Sequence, residues 1–428
     1  MSEPTSLNRL LDRMAGFERG GVPWLDALRE EARTLFAGSG LPTRRVEAWK
    51  YSDLARALTR AAEGSGTARP APEIPGVHIA LFENGILNEG QSALAAIGAI
   101  PLRQVLADPA TPFAKRIGHL NPQKNHALLN VNTALMEDGL VLQVPAGVAV
   151  PAPLYLRYDW AGKEAEDPNG RHLRIVLLLE EGAEATVVEA HSGSPGFATL
   201  VNEVQLAPKA KLTHLRLERL GPAARQSAVT LGELSAASTY KAFYYSEGGL
   251  FSRHEALLAF TDQEAHAEID GVYLVGDSRH CDNTTILSHS GINTSSQQAF
   301  RGVLEGDSRG VYQGCVRVLP DAQETDAYQM SRTLLLSDKA EIATKPELEI
   351  LADNVKCSHG STAGELDTAA LFYLRARGIP EVEARALLIE AFLGEGIATI
   401  ANEPLQNLAL GLVTDWLAFH AGEIAHAE

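Results

Sequence analysis

At 428 residues the chain exceeds one ordinary compact domain unless that domain is a repeat or a large β architecture. With 45% hydrophobic and 21% charged residues it reads as globular rather than disordered. A formal net charge of −17, unrelieved by any Lys/Arg cluster, excludes a general nucleic-acid or anionic-membrane binder, since both need cations to exchange for counterions.

The opening segment MSEPTSLNRLLDRM has no uninterrupted apolar run, so no secretory leader is expected. No stretch of about 18 apolar residues predicts a membrane span. The three cysteines, Cys281, Cys315 and Cys357, are odd in number and far apart, as fits reduced thiols in a cytoplasm better than a disulfide framework.

In chain order, residues 1–65 read as an N-terminal helical region. Leu25, Leu28, Ala32, Leu35 and Phe36 recur at helical spacing, and the Gly38-Ser39-Gly40 run ends the pattern. The stretch GSGTARPAPEIPG then predicts a loop or linker opening a mixed connecting region over 66–139. From 140 to 362 the helical period gives way to alternation. In KLTHLRLER, Thr213, Leu215 and Leu217 oppose His214, Arg216 and Glu218; in AHAEIDG, Ala265, Ala267 and Ile269 oppose His266, Glu268 and Asp270. A cassette of polar turn, alanine and alternation recurs, often at about 20–30 residues, the length of a β-solenoid coil. Spacing alone leaves a β-sandwich with ordinary turns equally open. Over 363–428 helices return: one capped by Asp367 and ended at Gly378, one begun by Pro380, one begun near Pro404.

No phosphate loop is present, because Gly162-Lys163 runs into Glu164 and lacks the upstream glycine. Neither CxxC nor HExxH supplies a ready metal site. Near the end of the alternating block, Val355, Cys357 and His359 fall on one strand face and Lys356 and Ser358 on the other. A thiol and an imidazole two residues apart can take a soft or borderline metal, or a sulfur species, from one direction. Chemistry alone leans the other way, to Cys357 as a small buried hydrophobe and His359 as a hydrogen-bonded core residue. Cys315 in QGCVRVL reads as core. Cys281 reads as structural too, with a surface metal pair formed with His280 and Asp282 as the weaker alternative.

The segment TKPELEILADNVKCSHGSTAGELDTAALFYLRARGIP resembles the shared C-terminal core of the SufB/SufD family, with its K-P-x-L-E-I, V-K-C-S-H-G and F-Y-L-x-[SA]-R-G-I elements. RRVEAWKYSDL is similar to that family's N-terminal element at Glu47, Trp49, Lys50, Tyr51 and Ser52, and NTSSQQAFRGVLEGDSRGVYQG resembles its central turn region. The Cys-Ser-His-Gly form at 357–360 points to the SufD branch. The resemblance implies a right-handed parallel β-helix flanked by N- and C-terminal helical domains. It implies a non-ATPase scaffold that assembles nascent iron–sulfur cluster with SufB and the SufC ATPase. His359, with Cys357 beside it, is then expected at a SufB interface, sharing iron or a transient cluster, with room for a reduced flavin on the complex and nothing tightly bound to this chain alone. SufC is expected on the C-terminal helices, with Leu387, Leu388, Phe392, Leu408 and Trp416 as docking candidates. A homodimer is expected when the chain is isolated. Two rivals stay open: a β-helix carbohydrate-active enzyme using Asp321, Glu324 and Asp326, and a homodimeric metal or cluster carrier.

Overall fold

The computed structural model describes residues 6–16, 20–60, 69–120, 124–161 and 170–420. The first part of the expected linker, up to residue 68, lies outside them. The N-terminal helices are α1 (Ser6–Ala15), α2 (Pro23–Ser39) and α3 (Leu54–Thr59). They lead to β1 (His78–Glu83), β2 (Ile86–Leu87), α4 (Leu94–Ile97), β3 (Ala99–Pro101), α5 (Leu102–Ala107) and α6 (Ala127–Leu135). Sixteen further strands follow: β4 (Asp138–Val144), β5 (Leu154–Trp160), β6 (Arg171–Leu179), β7 (Glu184–Gly193), β8 (Ala198–Leu206), β9 (Lys211–Leu220), β10 (Arg225–Leu234), β11 (Thr239–Ser246), β12 (Phe251–Phe260), β13 (His266–Val275), β14 (His280–His289), β15 (Ser295–Leu304), β16 (Arg309–Val318), β17 (Asp326–Leu335), β18 (Glu341–Ile350) and β19 (Lys356–Gly364). Helices α7 (Thr368–Ala376), α8 (Glu381–Ile397) and α9 (Glu403–Phe419) follow the last strand.

Odd-numbered strands from β5 to β19 pair in parallel in one sheet, and even-numbered strands from β4 to β18 pair in the other. Each coil therefore gives one strand to each sheet, and the result is a parallel β-solenoid of about seven turns. The alternating cassette thus belongs to a solenoid and not to a sandwich.

The cassette turns have a physical basis. Lys209, Ala237, Glu264, Asn293 and Glu324 adopt φ between 55° and 62°, at one corner of successive coils. In that conformation each N–H points along the stack. Lys209 donates to the Ala236 carbonyl at 2.8 Å, Ala237 to Gln263 at 2.9 Å, Glu264 to Ile292 at 3.0 Å and Asn293 to Gln323 at 2.8 Å. A left-handed residue without glycine costs of order 1 kcal/mol, and this ladder offsets it. The small residues that follow Lys209, Ala237 and Glu264, namely Ala210, Ser238 and Ala265, and Ala183 after Gly182 at the same corner, are fully buried.

The two ends of the solenoid differ. At the start, the β1–β2 hairpin, α4 and β3 close the lumen with Phe82, Leu87, Leu94 and Ala99. At the other end β19 and β18 are the terminal strands of their sheets, and most of their residues are exposed or half-buried. Helices cover both flat faces. On the odd sheet, α8 and α9 pack Ile389, Leu393, Leu412 and Trp416 against Leu215, Leu217, Phe243 and Val272. On the even sheet, α6 sets Leu129 against Val201, Val229 and Leu257.

This covering reverses one naive expectation of alternation. Leu215 and Leu217 face outward to the helices, so His214, Arg216 and Glu218 face the lumen. There they join a charged network. The Glu189 carboxylate accepts from His191 Nε2 and His214 Nε2, both at 3.0 Å, from Asn202 of the facing sheet at 2.6 Å, and from Arg216 at 2.5 Å. Arg216 also donates to Glu218 at 2.8 Å, and Glu218 accepts from Gln226, Ser246 and Ser252. Burial works against the Glu189 and Glu218 carboxylates, but Arg216 together with the other hydrogen bonds and charges around them outweighs it: Glu189 is held well below the usual range and Glu218 at about 2. Burial pushes His191 down to about 4 and His254 to about 3.

The cysteines follow the same parity. Cys281 is buried in the lumen core, whereas His280 and Asp282 face the other way, toward the N-terminal region. Alternation therefore parts Cys281 from His280 and Asp282, which lie on the other face and both bind the Ser52 hydroxyl rather than forming a surface metal site with the thiol. Cys315 is buried, with its thiol 3.9 Å from Glu349 Oε1.

Two outcomes follow. Arg216→Met leaves two buried carboxylates without their cation, and should cost about 3–5 kcal/mol in urea unfolding. The unfolded chain protonates its histidines below pH 6.5 while the folded chain resists, so stability should fall as pH drops from about 6.5 toward 4. It should fall more steeply below 4.5, where unfolded glutamates take up protons that Glu218 refuses. Thermal melts across pH 4–7 check the sign.

Candidate functional site at the open end of the solenoid

The register fixes which groups line the open end. Ala327 pairs with Cys357 and Gln329 with His359. Gln329 is fully buried and donates across the lumen to the Glu347 carbonyl at 3.1 Å, so its column points inward. Cys357, His359 and Ser361 continue that column on the last coil. Opposite them on β18, Thr344 receives the Ser361 hydroxyl at 2.9 Å. These residues occupy inward positions with no further coil above them.

Cys357 is half-buried against Ala327, Val316, Val318 and Leu348. Burial raises its thiol pKa; the Ala327 backbone bond works against this and nearby Asp326 reinforces it. A metal or sulfur species would thus have to displace the proton to gain the thiolate. His359 is exposed, and among the described residues it makes no hydrogen bond or ion pair. On one strand face the two lie about 6.6 Å apart along the chain. Among the described residues no group of three or more His, Cys, Asp or Glu is placed to hold a metal. The chain offers two donors at this end.

The same end is rimmed by apolar surface. Leu351 is 62% exposed and Ile350 40%. Helix α7, capped by Asp367 accepting from Ala369 and Ala370, buries none of its residues; Phe372 is 75% exposed and Tyr373 56%. A 690 Å³ groove runs between α7 and the last coils, lined by Leu335, Ala363, Leu366 and Leu371.

The expected docking residues separate into three kinds. Leu387 is exposed on α8. Leu388, Phe392 and Leu408 are half-buried; the Phe392 ring lies 5.2 Å from the Arg301 guanidinium. Trp416 is fully buried in the packing of α9 on the odd sheet and stacks on His420, so it is part of this chain's own core and not a surface for a partner. Phe372 and Tyr373, both within the F-Y-L element, are exposed docking candidates that the sequence pattern does not distinguish from core. Periodicity marks an apolar face without saying what covers it.

The Glu47–Ser52 element acts as a strap. Trp49 is buried under the Arg253 guanidinium, 4.4 Å from it, and stacks on Phe251. Ser52 binds His280 and Asp282, and Glu47 accepts from Lys345 of β18 at 2.6 Å. Two motifs far apart in sequence thereby touch. Asp321, Glu324 and Asp326 are exposed around the corner turn, with Glu324 one of its left-handed residues, as a solvated turn face would be.

The fold and this end define a helix-flanked parallel β-solenoid, capped at its start and unfinished at its finish. A family profile described as SUF system FeS cluster assembly, SufBD core domain, matches residues 161–392, more than half of the chain, and the protein belongs to that SufBD family. It is 29% identical to the iron–sulfur cluster assembly protein SufD of Escherichia coli over 96% of this chain and 97% of the relative. It is 29% identical to an iron–sulfur cluster assembly SufBD family protein of Synechocystis over 89% of this chain and 88% of that one. It is 28% identical to the chloroplastic protein ABCI7 of Arabidopsis thaliana over 94% and 87%. Among the described residues no helix is long and apolar enough to cross a membrane.

The contrast between the open end and the lumen core can be checked by stability. His359→Ala, on an exposed coil, should change the unfolding free energy by less than about 0.5 kcal/mol. Cys281→Ser puts a hydroxyl into the lumen core and should cost about 1–3 kcal/mol.

Proposed function

We propose that this chain is the non-ATPase scaffold subunit of a cytoplasmic SUF assembly complex, joined to SufB through the open end of its solenoid and to SufC through its C-terminal helices. One observation carries the reading: a thiol and an unengaged imidazole sit side by side on the last, uncovered coil. An unpaired parallel edge with a row of free N–H and C=O groups is a template for another strand. A second solenoid continuing the stack would bring its own ligands against Cys357 and His359. Iron–sulfur clusters commonly take four protein ligands, mostly thiolates, so two donors here and two or more from SufB make a complete set. The cluster is cargo in this scheme, and an imidazole ligand that weakens on protonation suits a cluster destined for transfer.

For the ATPase, α7 and the exposed side of α8 supply Phe372, Tyr373 and Leu387 beside the groove under α7. An apolar helix face laid into a partner's groove is a common recognition mode. The homodimeric carrier uses the same edge for a second copy of this chain. Mixing the isolated chain with SufB distinguishes the two: the heterodimer should displace the homodimer on size exclusion.

The decisive experiment co-expresses the chain with SufB and SufC, reconstitutes the complex anaerobically and compares visible spectra. His359→Ala and Cys357→Ser should reduce cluster absorbance several-fold while the subunits still co-purify. Unchanged absorbance in both variants would remove the ligand role. Phe372→Asp combined with Leu387→Asp should lower SufC recovery, leaving SufB recovery and the melting temperature in place.

A further inference from the structure

Away from the open end, a cleft of about 540 Å³ lies between the N-terminal strap and the corner turns of three successive coils. Six cations converge on it: Arg44 just before the strap, Arg56 and Arg60 from α3 and its C-terminal end, and Arg279, Arg309 and Lys339 from the turns. In a chain of net charge −17 that concentration is unusual. Its origin is a sequence repeat. Gly276-Asp277-Ser278-Arg279 recurs one coil later as Gly306-Asp307-Ser308-Arg309, and Ser337-Asp338-Lys339 takes the same corner on the next coil. The Arg309 N–H donates to the Arg279 carbonyl at 2.9 Å, and the Glu341 N–H to the Ser308 carbonyl at 2.9 Å, so the turns stack directly. Like charges stacked at the ~4.8 Å spacing between strands repel unless something compensates them.

The cleft's own carboxylates compensate in part. Asp53 is engaged as the cap of α3, accepting from the Arg56 backbone N–H at 3.0 Å. Asp307 lies 3.4 Å from Lys339, and Glu341 lies 3.6 Å from Arg309. Arg44 and Arg56 have no carboxylate partner among the described residues. The Arg309 Nε–H is buried with no acceptor among the described residues. An unsatisfied donor on a permanent cation that lines the cleft, beside guanidiniums without a carboxylate partner of which Arg44 gives only its Nε–H to the Lys50 carbonyl at 3.1 Å, is the complement of an anion's oxygens.

We infer that this cleft binds a small phosphorylated anion of the diphosphate class. Guanidinium forks from two sides suit bidentate recognition of adjacent phosphates. The volume falls within the ~300–1,000 Å³ usual for small-molecule sites, which is too confined for a nucleic-acid strand. Because Arg44, Arg56 and Arg60 belong to the N-terminal segment around the strap and α3 while Arg279, Arg309 and Lys339 belong to the solenoid, an occupant ties that segment to the coils just before β18. The diphosphate can be free pyrophosphate or the diphosphate of a nucleotide.

Calorimetric titration of the full chain with pyrophosphate and, separately, with ADP tests this, with sulfate as control. One saturable site for pyrophosphate is expected, weakened about tenfold by Arg56→Gln and again by Arg309→Gln, as fits loss of one charge-assisted bond each. Sulfate should bind far more weakly. Tighter binding of ADP than of pyrophosphate assigns the site to a nucleotide; the reverse assigns it to the free anion. Should Arg309→Gln compromise folding, the exposed Arg56→Gln and Lys339→Gln carry the comparison. No saturable binding at millimolar ligand, or equal binding by wild type and variants, overturns the inference. So does binding of a polyglutamate peptide in the absence of pyrophosphate binding, which would give the cleft to an acidic protein segment.

Discussion

Every coil of this molecule completes its hydrogen bonds and buries its inward side chains only by having another coil on top. The chain meets that demand at its start with a hairpin, a short helix and four apolar residues. It does not meet it at its finish, where β18 and β19 are left as terminal strands. Repeat proteins normally close such an end with a polar cap. Here the last inward positions hold a thiol, an imidazole and hydroxyls, and the rim holds exposed apolar residues. The placement of reactive groups and the incompleteness of the fold are one structural fact.

The interior behind that end is not an oil-like core. Its charged network is enclosed between the two sheets because both outer faces are claimed by helices, and the inward positions of β7 and β9 receive what the outer faces cannot take. Glu189, Arg216 and Glu218 are affordable there because nearly every lone pair and proton finds a partner, including partners on the facing sheet. Such a network fixes the distance and register between sheets more tightly than interchangeable aliphatic side chains would. A rigid frame of this kind would hold the last coil in a defined position for whatever continues it.

The strap carries that rigidity from the first sixty residues to the last coils. Trp49, Ser52 and Glu47 contact Arg253, Asp282 and Lys345 in turn, so the N-terminal region spans the even sheet from its middle to its terminal strand. Exposed pairs such as Glu47–Lys345 contribute little stability by themselves. The buried Trp49 and the Ser52–Asp282 contact do the anchoring.

The sequence by itself determined the order of helix, β block and helix, the cap at Asp367, the helix start at Pro380, and the face shared by Cys357 and His359. Each depends on periods of 2 or 3.6 residues, or on a single capping side chain, and is therefore local. Its motifs also identified the family. Tertiary structure alone decided which side of each strand is inside, because both sides of most strands are buried and alternation has no sign of its own. That is why Arg216 faces inward and Leu215 outward, why Cys281 is parted from His280 and Asp282, and why Trp416 serves the chain's own core while Phe372 stands in solvent. Whether the last coil is covered or open depends on contacts between residues hundreds of positions apart, which no local period records.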